Sequence, residues 1–393
     1  MSGPLLVLVE PHAHRIGGHH QHALTALASA YDNVLVVAPY GSRSAAVTPT
    51  GRFPSLLMAM ARAVRRLAEA GKWLFTSRRW PTWLRRLPHQ VTLLARCLAE
   101  AACVRTAHSA ADGAVVVVLS ASEALHSAVG LLGGPHLRFV HEVVTTEGIL
   151  VRTVGALTAS GGRRVLLLAP TNAVRDELAA CFPRLRIRTR PFALVDPEEQ
   201  LTDAERQRAR NAFGIRDAEP AVCLVGGWWP YKDISVVDAA LVRLDCPLHV
   251  IVAGDPLDSG ILWRWSSLPH VRLHTVGVPE SVRSVYAAVD AAVVARRPGV
   301  GKESGLVVDA VRFGVPLLLS DHDPALTDRL SGQGWTRTFP VGDGGRLAAL
   351  LSDLARTPLP RPAPDTARHL GVPSAAGQAA FLLRIASSLK GTS

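Results

Sequence analysis

Short apolar runs recur along this chain between helical stretches. Leu5–Val9, Val34–Ala38, Val115–Leu119, Leu137–Val140, Val165–Ala169, Ala221–Val225, His249–Ala253, Ala291–Ala295 and Leu317–Leu319 are each the length of one strand. Most show no apolar/polar alternation, so strands made from them are buried on both faces. A parallel sheet covered by helices on both sides provides that burial. The chain opens with a strand, a loop carrying Gly17-Gly18, an Ala/Leu-rich helix to about Ala30 and a second strand. This is the start of a doubly wound α/β domain. At 393 residues there is length for two such domains, each with its own core. Arg190-Pro191 and Asp196-Pro197 flank a linker before the charged helical stretch EEQLTDAERQRARNAFGI, which puts the boundary near 192 to 215.

Ligands bind such sheets at the carboxyl ends of the strands, so Gly17 and Gly18 are placed either to approach a phosphate or to make a plain turn. The same loop holds His12, His14, His19, His20 and His22. They can be read as metal ligands, as ordinary polar residues or as hydrogen-bonding groups across a cleft. No Asp, Glu or Cys cluster joins them at a metal-site spacing.

The stretch Glu303 to Pro316 reads as a loop, a helix and a stop. Glu303, Ser304 and Gly305 precede the helix, and Leu306, Val307 and Val308 lie at its start. Asp309 follows one turn on, and Gly314 closes it before Val315-Pro316. A glycine past a helix end takes the left-handed conformation at little cost. The start of the helix is positive and rich in free N–H groups, so it receives an anion readily. Carboxylates just before it and one turn in are placed to grip hydroxyls around that anion, as in a nucleotide sugar.

Asp309-Ala310, with Gly314-x-Pro316 following, resembles the donor-binding segment of retaining glycosyltransferases with the GT-B fold, chiefly glycosyltransferase family 4. Asp309 takes the place of that family's second Glu. Glu303 takes the place of the first, six positions ahead and not eight. The loop GGWWPYKD resembles the family's Val-Gly-Arg-x-x-x-x-Lys-Gly: Gly226 and Lys232 match, Gly227 replaces the Arg and Asp233 the Gly. His141-Glu142, after a strand, resembles the family's His-Asp-like pair. Tyr286-x-x-x-Asp290, Gly254-Asp255 and Gly342-Asp343 resemble further family steps.

The resemblance implies two Rossmann-like doubly wound domains facing a central cleft. They are an acceptor-side domain over 1–195, a nucleotide-sugar domain over 196–370, and a helix in 371–393 returning to the first. It implies transfer of a sugar from a nucleotide sugar to an acceptor hydroxyl with retained anomeric configuration. Lys232 and the helix start at Ser304, Gly305, Leu306 and Val307 would stabilise the leaving diphosphate. Glu303 would bond sugar hydroxyls and Asp309 the ribose. His141 would contact the donor sugar, and the backbone at Val278, after Gly277, would meet the base. Gly17, Gly18, Gly226 and Gly227 would let backbone approach the ligand. The arginine absent at Gly227 would come from Arg296 or Arg297, or the donor is held differently. No Asp-x-Asp motif stands at a strand end, so neither a metal nor any cofactor beyond the donor substrate is expected. A nucleotide-sugar epimerase and a catalytically weak GT-B partner subunit are the alternatives.

The formal net charge of +11 is concentrated: between Arg52 and Arg105 there are eleven Arg or Lys against two acids, Glu69 and Glu100. Trp73, Phe75, Trp80 and Trp83 lie among Arg65, Arg66, Lys72, Arg78, Arg79, Arg85 and Arg86. This combination fits contact with an anionic membrane or a lipid-linked acceptor. It also fits a solvated helical face over a Trp core. Nothing resembles a nucleic-acid module. No apolar run reaches the roughly 18 residues of a membrane span. The N-terminus has no positive n-region and reads as a strand instead of a signal peptide. Cys97, Cys103, Cys181, Cys223 and Cys246 form no CxxC. Reduced thiols in the cytosol, or at the inner face of the cell membrane, are expected.

Overall fold

The computed structural model describes residues 4–13, 19–39, 55–75, 82–110, 113–121, 134–143, 165–196, 199–278, 281–299 and 301–390. They form two compact units: residues up to Leu194 together with those from Ser374 on, and Val195–Pro373.

In the first unit, strands β1 (Leu6–Val9), β2 (Val34–Val37), β3 (Val115–Val118), β4 (His136–Phe139), β5 (Val165–Ala169) and β6 (Arg186–Thr189) form one parallel sheet. Their order is β2-β1-β3-β4-β5-β6. Helices α1 (His19–Ser29), α2 (Ser55–Phe75), α3 (Thr82–Ala110) and α4 (Asn172–Cys181) connect them. The period-2 pleat divides β1 between two cores. Leu6 and Leu8 join Leu24, Leu27 and, from the C-terminal helix Ala375–Lys390, Leu382. Val7 and Val9 join Cys103, Val104 and Ala107 of α3. Thr171 caps α4 by accepting the Val174 N–H.

The edge strand β6, sequence RIRT, is exposed or half-buried throughout. Reading by apolar runs passes over it because an edge strand buries too little to need one. The basic segment forms α2 and α3, which pack through Met58 and Ala61 against Ala99 and Ala102. Trp80, Arg78 and Arg79 lie outside the described residues, as do the side chains of Lys72, Trp73, Phe75, Trp83, Arg85 and Arg86.

The second unit holds β7 (Ala221–Val225), β8 (Leu248–Ala253), β9 (Val271–Val276), β10 (Ala291–Val294), β11 (Leu317–Ser320) and β12 (Thr336–Phe339). The sheet is parallel, in the order β9-β8-β7-β10-β11-β12. This is the dinucleotide-binding order, which reverses between its first and fourth strands. Helices α5 (Asp203–Ala212), α6 (Ile234–Arg243), α7 (Ser259–Ser266), α8 (Arg283–Ala287), α9 (Gly305–Phe313), α10 (Pro324–Leu330), α11 (Gly344–Arg356) and α12 (Thr366–His369) surround it. Thr202 and Glu205 form a capping box that starts α5.

Candidate functional site

In the second unit the strand order reverses between β7 and β10, so the ligand crevice of its sheet lies beyond their carboxyl ends. The loop after β7 carries Gly226, Gly227 and Lys232, and Arg296 follows β10. Lys232 and Arg296 are joined as an isolated antiparallel bridge. With Val225, Trp228 and Leu306 they line one small pocket.

The electrostatics of this pair are unusual. Lys232 Nζ donates to the Val225 carbonyl at 2.7 Å and the Gly226 carbonyl at 2.8 Å, which commits two of its three protons. Burial, reinforced by the Arg296 charge, brings its pKa down to about 7. Arg296 is only 5% exposed, and its Nε and Nη1 have no hydrogen-bond partner. Burial pushes its pKa down as well. A buried guanidinium with unmade donors is costly unless an acceptor arrives. The Arg296 N–H is held by Ser320 Oγ at 2.9 Å. His322, two residues on, donates from Nδ1 to the Ser320 carbonyl at 2.8 Å, and its buried Nε2 is unpartnered.

Helix α9 starts at the same end of the sheet. Ser304 is its N-cap, makes no side-chain cap bond and keeps a buried, unpartnered hydroxyl. Gly314 ends the helix at φ 64°, the left-handed conformation expected of it. Arg206 of α5 donates to the Phe313 and Gly314 carbonyls at 3.3 and 2.8 Å, so a cation closes the negative end of the helix. Leu306 and Val307 lie in the first turn, with Val307 N–H bonded to the Ser304 carbonyl. Glu303 is half-buried. Asp309 accepts from Arg312 at 2.9 Å, and burial raises its carboxyl to about 6 against the opposing pull of Arg312.

Gly227 has a steric cause. A Cβ there would lie 2.1 Å from the Asp255 carbonyl oxygen and 2.7 Å from the Pro256 nitrogen. At Gly254 a Cβ would lie 2.6 Å from the Gly226 carbonyl carbon. The loops after β7 and β8 therefore cross backbone on backbone, pinned by Trp228 N–H to the Pro256 carbonyl at 2.7 Å. No arginine fits at Gly227. Val278, beyond β9, is 53% exposed.

In the first unit His141 follows β4 by two residues. Its Nε2 donates to the Leu119 carbonyl at 2.9 Å, and its ring meets His20 at 4.5 Å and Phe192 at 4.4 Å. Gly17, Gly18, His14 and the His19 side chain lie outside the described residues. No cluster of three or more His, Cys, Asp or Glu suited to a metal ion occurs among the described residues.

The second unit thus brings together Lys232, Gly226, Gly227, Ser304, Gly305 and Leu306, while His141 belongs to the first. Reading the sequence alone missed His322, Glu10 and Ser120. Each stands within two residues of the carboxyl end of a central strand, and that position is the signal that marks them.

No protein-family model matches the chain, and no curated protein sequence matches it. Solved structures match along its length. The structure of HepE of Anabaena in complex with UDP-glucose matches with a TM-score of 0.60 at 13% identity, over 99% of this chain and 99% of that chain. Sucrose-phosphate synthase of Thermosynechococcus elongatus gives 0.65 at 14% identity, over 100% of both chains. A glycosyltransferase from Rickettsia africae gives 0.61 at 12% identity, over 100% of both chains. These are GT-B proteins, and the fold of this chain is GT-B, with two Rossmann-like doubly wound domains.

Proposed function

We propose that the chain is a glycosyltransferase that moves a sugar from a nucleoside diphosphate sugar to an acceptor hydroxyl. The observation that carries this reading is the buried Arg296, with unmade donors, beside a half-buried Lys232 at the strand-order reversal of the second sheet. A buried and a half-buried cation beside a helix start suit a diphosphate, which carries both negative charge and acceptor oxygens. As the phosphate–sugar bond breaks, the diphosphate gains charge, and fixed donors in a dry site stabilise that state. Arg296 supplies from β10 the guanidinium that the crossing at Gly227 excludes. Glu303 and Asp309 bond donor hydroxyls, and the backbone at Val278 meets the base. The structure of a similar protein holds UDP-glucose, which makes a uridine donor the first to try.

The finer reading is a retained anomeric configuration, no metal and no cofactor beyond the donor. It rests on the likeness of Glu303 to Pro316 to the donor segment of family 4. Product anomers read by NMR test retention, and turnover in excess EDTA tests metal independence.

The same reading puts the enzyme at an anionic membrane surface through 52–105, with a lipid-linked acceptor. Helix α2 exposes Met60 and Leu67, the latter 68% exposed, beside exposed Arg62, Arg65 and Arg66. That face combines apolar and cationic groups in the manner of an interfacial helix. No helix among the described residues is long and apolar enough to cross a membrane.

The decisive experiment is a thermal-shift panel with UDP, GDP, ADP, dTDP and CDP and their sugar conjugates. One diphosphate should raise Tm by mass action. A flat panel on folded protein sinks the proposal.

A further inference from the structure

At the carboxyl edge of the second sheet, Arg296 stands two residues past β10 and His322 two residues past β11, and these strands are parallel neighbours. Both residues hang on Ser320, the last residue of β11, which is buried. Its hydroxyl oxygen accepts the Arg296 N–H at 2.9 Å and lies 3.0 Å from His322 Nδ1. Its carbonyl oxygen lies 2.8 Å from the same Nδ1. His322 is only 3% exposed. Its Nε2 has no hydrogen-bond partner, and neither do Nε and Nη1 of Arg296. Glycosyl transfer as read above uses Arg296 and gives His322 no task.

A carbonyl oxygen only accepts, so His322 Nδ1 carries the N–H and the lone pair of the neutral ring is on Nε2. Burial, and then the Arg296 charge, push the pKa of the ring down, against the Ser320 carbonyl, Asp323 and Asp321, which pull it up. Both carboxylates are engaged by backbone: Asp323 accepts the Leu326 N–H and Asp321 the Val341 N–H. The neutral ring makes Nε2 an acceptor. Around Ser320 there are thus two unmade donors and one unmade acceptor. An ionised diphosphate brings acceptors alone, so it satisfies Arg296 and leaves Nε2 bare. The unpartnered Ser304 hydroxyl gives or accepts equally well and favours neither. A ligand that completes both residues carries phosphate oxygens with a hydroxyl close by.

We propose that His322 is a specificity-determining residue of this site: its Nε2 accepts a hydrogen bond from a hydroxyl that the ligand carries near its phosphates, while Arg296 takes a phosphate oxygen. Naming the anion a phosphate rests on the glycosyl-transfer reading, but the proton arrangement around Ser320 does not. In a nucleoside diphosphate sugar the hydroxyl comes from the sugar or from the ribose.

Two variants separate the ring nitrogens. His322→Asn keeps an N–H for the Ser320 carbonyl and has no atom at the Nε2 position. His322→Gln reaches that position with an oxygen. Long-range 1H–15N spectra of the full chain with 15N-labelled histidine read the ring, and the signal lost in either variant is His322. We expect a neutral ring with Nδ1–H in the unliganded wild type at pH 7. An Nε2–H tautomer, or an imidazolium at that pH, overturns the proposal.

Inorganic pyrophosphate, UDP and UDP-glucose are then titrated, or the matching pair for whichever diphosphate stands out in the thermal panel. Pyrophosphate, which has no hydroxyl, should bind His322→Asn as it binds the wild type. UDP-glucose should bind about tenfold more weakly, and His322→Gln should recover most of that loss. A loss for UDP-glucose but not UDP assigns a sugar hydroxyl, and an equal loss for both assigns a ribose hydroxyl. A loss that extends to pyrophosphate, or no loss at all, overturns the proposal and leaves glycosyl transfer standing. If His322→Asn does not fold, the wild-type signal, assigned through His322→Gln, decides: Nε2 should shift more with UDP-glucose than with pyrophosphate, and equal shifts overturn the proposal. A wild type that binds none of the three sinks the diphosphate reading and this proposal with it.

Discussion

Lys232 and Arg296 stand opposite each other between two backbone hydrogen bonds made by their neighbours, Asp233 N–H to the Ala295 carbonyl at 3.1 Å and Arg297 N–H to the Tyr231 carbonyl at 2.9 Å, while their side chains carry the same charge. The bridge holds the half-buried Lys232 beside the buried Arg296, and desolvation together with that neighbouring charge strips Lys232 of much of its proton affinity. That arrangement disfavours the empty protein and favours one holding an anion.

Lys232→Met should therefore raise the melting temperature of the unliganded protein. At pH 6 Lys232 is charged in both the folded and unfolded states, and only the folded state bears the burial cost. Each kcal/mol recovered corresponds to roughly 2–4 °C in a domain the size of the second unit, Val195–Pro373. The same variant should lose the diphosphate thermal shift. A lower melting temperature with the shift intact would contradict the electrostatic account.

The folded pKa of Lys232, about 7, lies below the unfolded value of 10.5. Between them the unfolded chain binds more protons, so this group makes unliganded stability rise with pH from 7 towards 10. A bound diphosphate restores the proton. Binding should take up a proton at pH 8 and little at pH 6, as read by calorimetry in buffers of different ionisation enthalpy. Uptake that is absent at pH 8, or equal at both, rules out Lys232 as the anion's partner.

Gly227→Arg restores the residue usual in similar loops and should still fail. The clash of a Cβ with the Asp255 carbonyl is backbone against side chain and has no soft partner to yield. Gly227→Ala alone should cost more than about 2 kcal/mol. Urea unfolding checks this, and an alanine variant as stable as the wild type would refute the crossing.

Arg138 of β4 and Glu100 of α3 form a fully buried ion pair in the first unit. Glu100→Ala removes this carboxylate from beside the buried guanidinium, at a cost of about 3–5 kcal/mol. Pairing it with Arg138→Met should recover most of that loss. A double variant as unstable as the single one would point to packing and away from charge.

The exposed α2 face predicts sedimentation with anionic vesicles at low salt and release at high salt. Leu67→Glu should weaken it. Equal recovery in the pellet with neutral vesicles would exclude an electrostatic contribution.

The central strands were legible in the sequence because burial on both faces forces an uninterrupted apolar run. The edge strands β6 and β12 were not, since exposed positions there accept arginine and threonine. Ser304, Gly314 and Thr171 were legible because capping chemistry is local. The Glu10–Ser120–His20 hydrogen bonds were not, because Ser120 lies 110 residues from Glu10 and 100 from His20. The glycine at 227 could be seen, but its reason lies in a crossing with residues 254–256, which only the folded backbone brings close.

Because the two cations come from different strands, the grip on an anion is a property of sheet topology and not of any contiguous peptide. Transplanting the loop 226–232 into another scaffold would carry only half of it. For the same reason, relatives of this chain are better sought by aligning the residues that end neighbouring strands than by scanning for a linear loop signature.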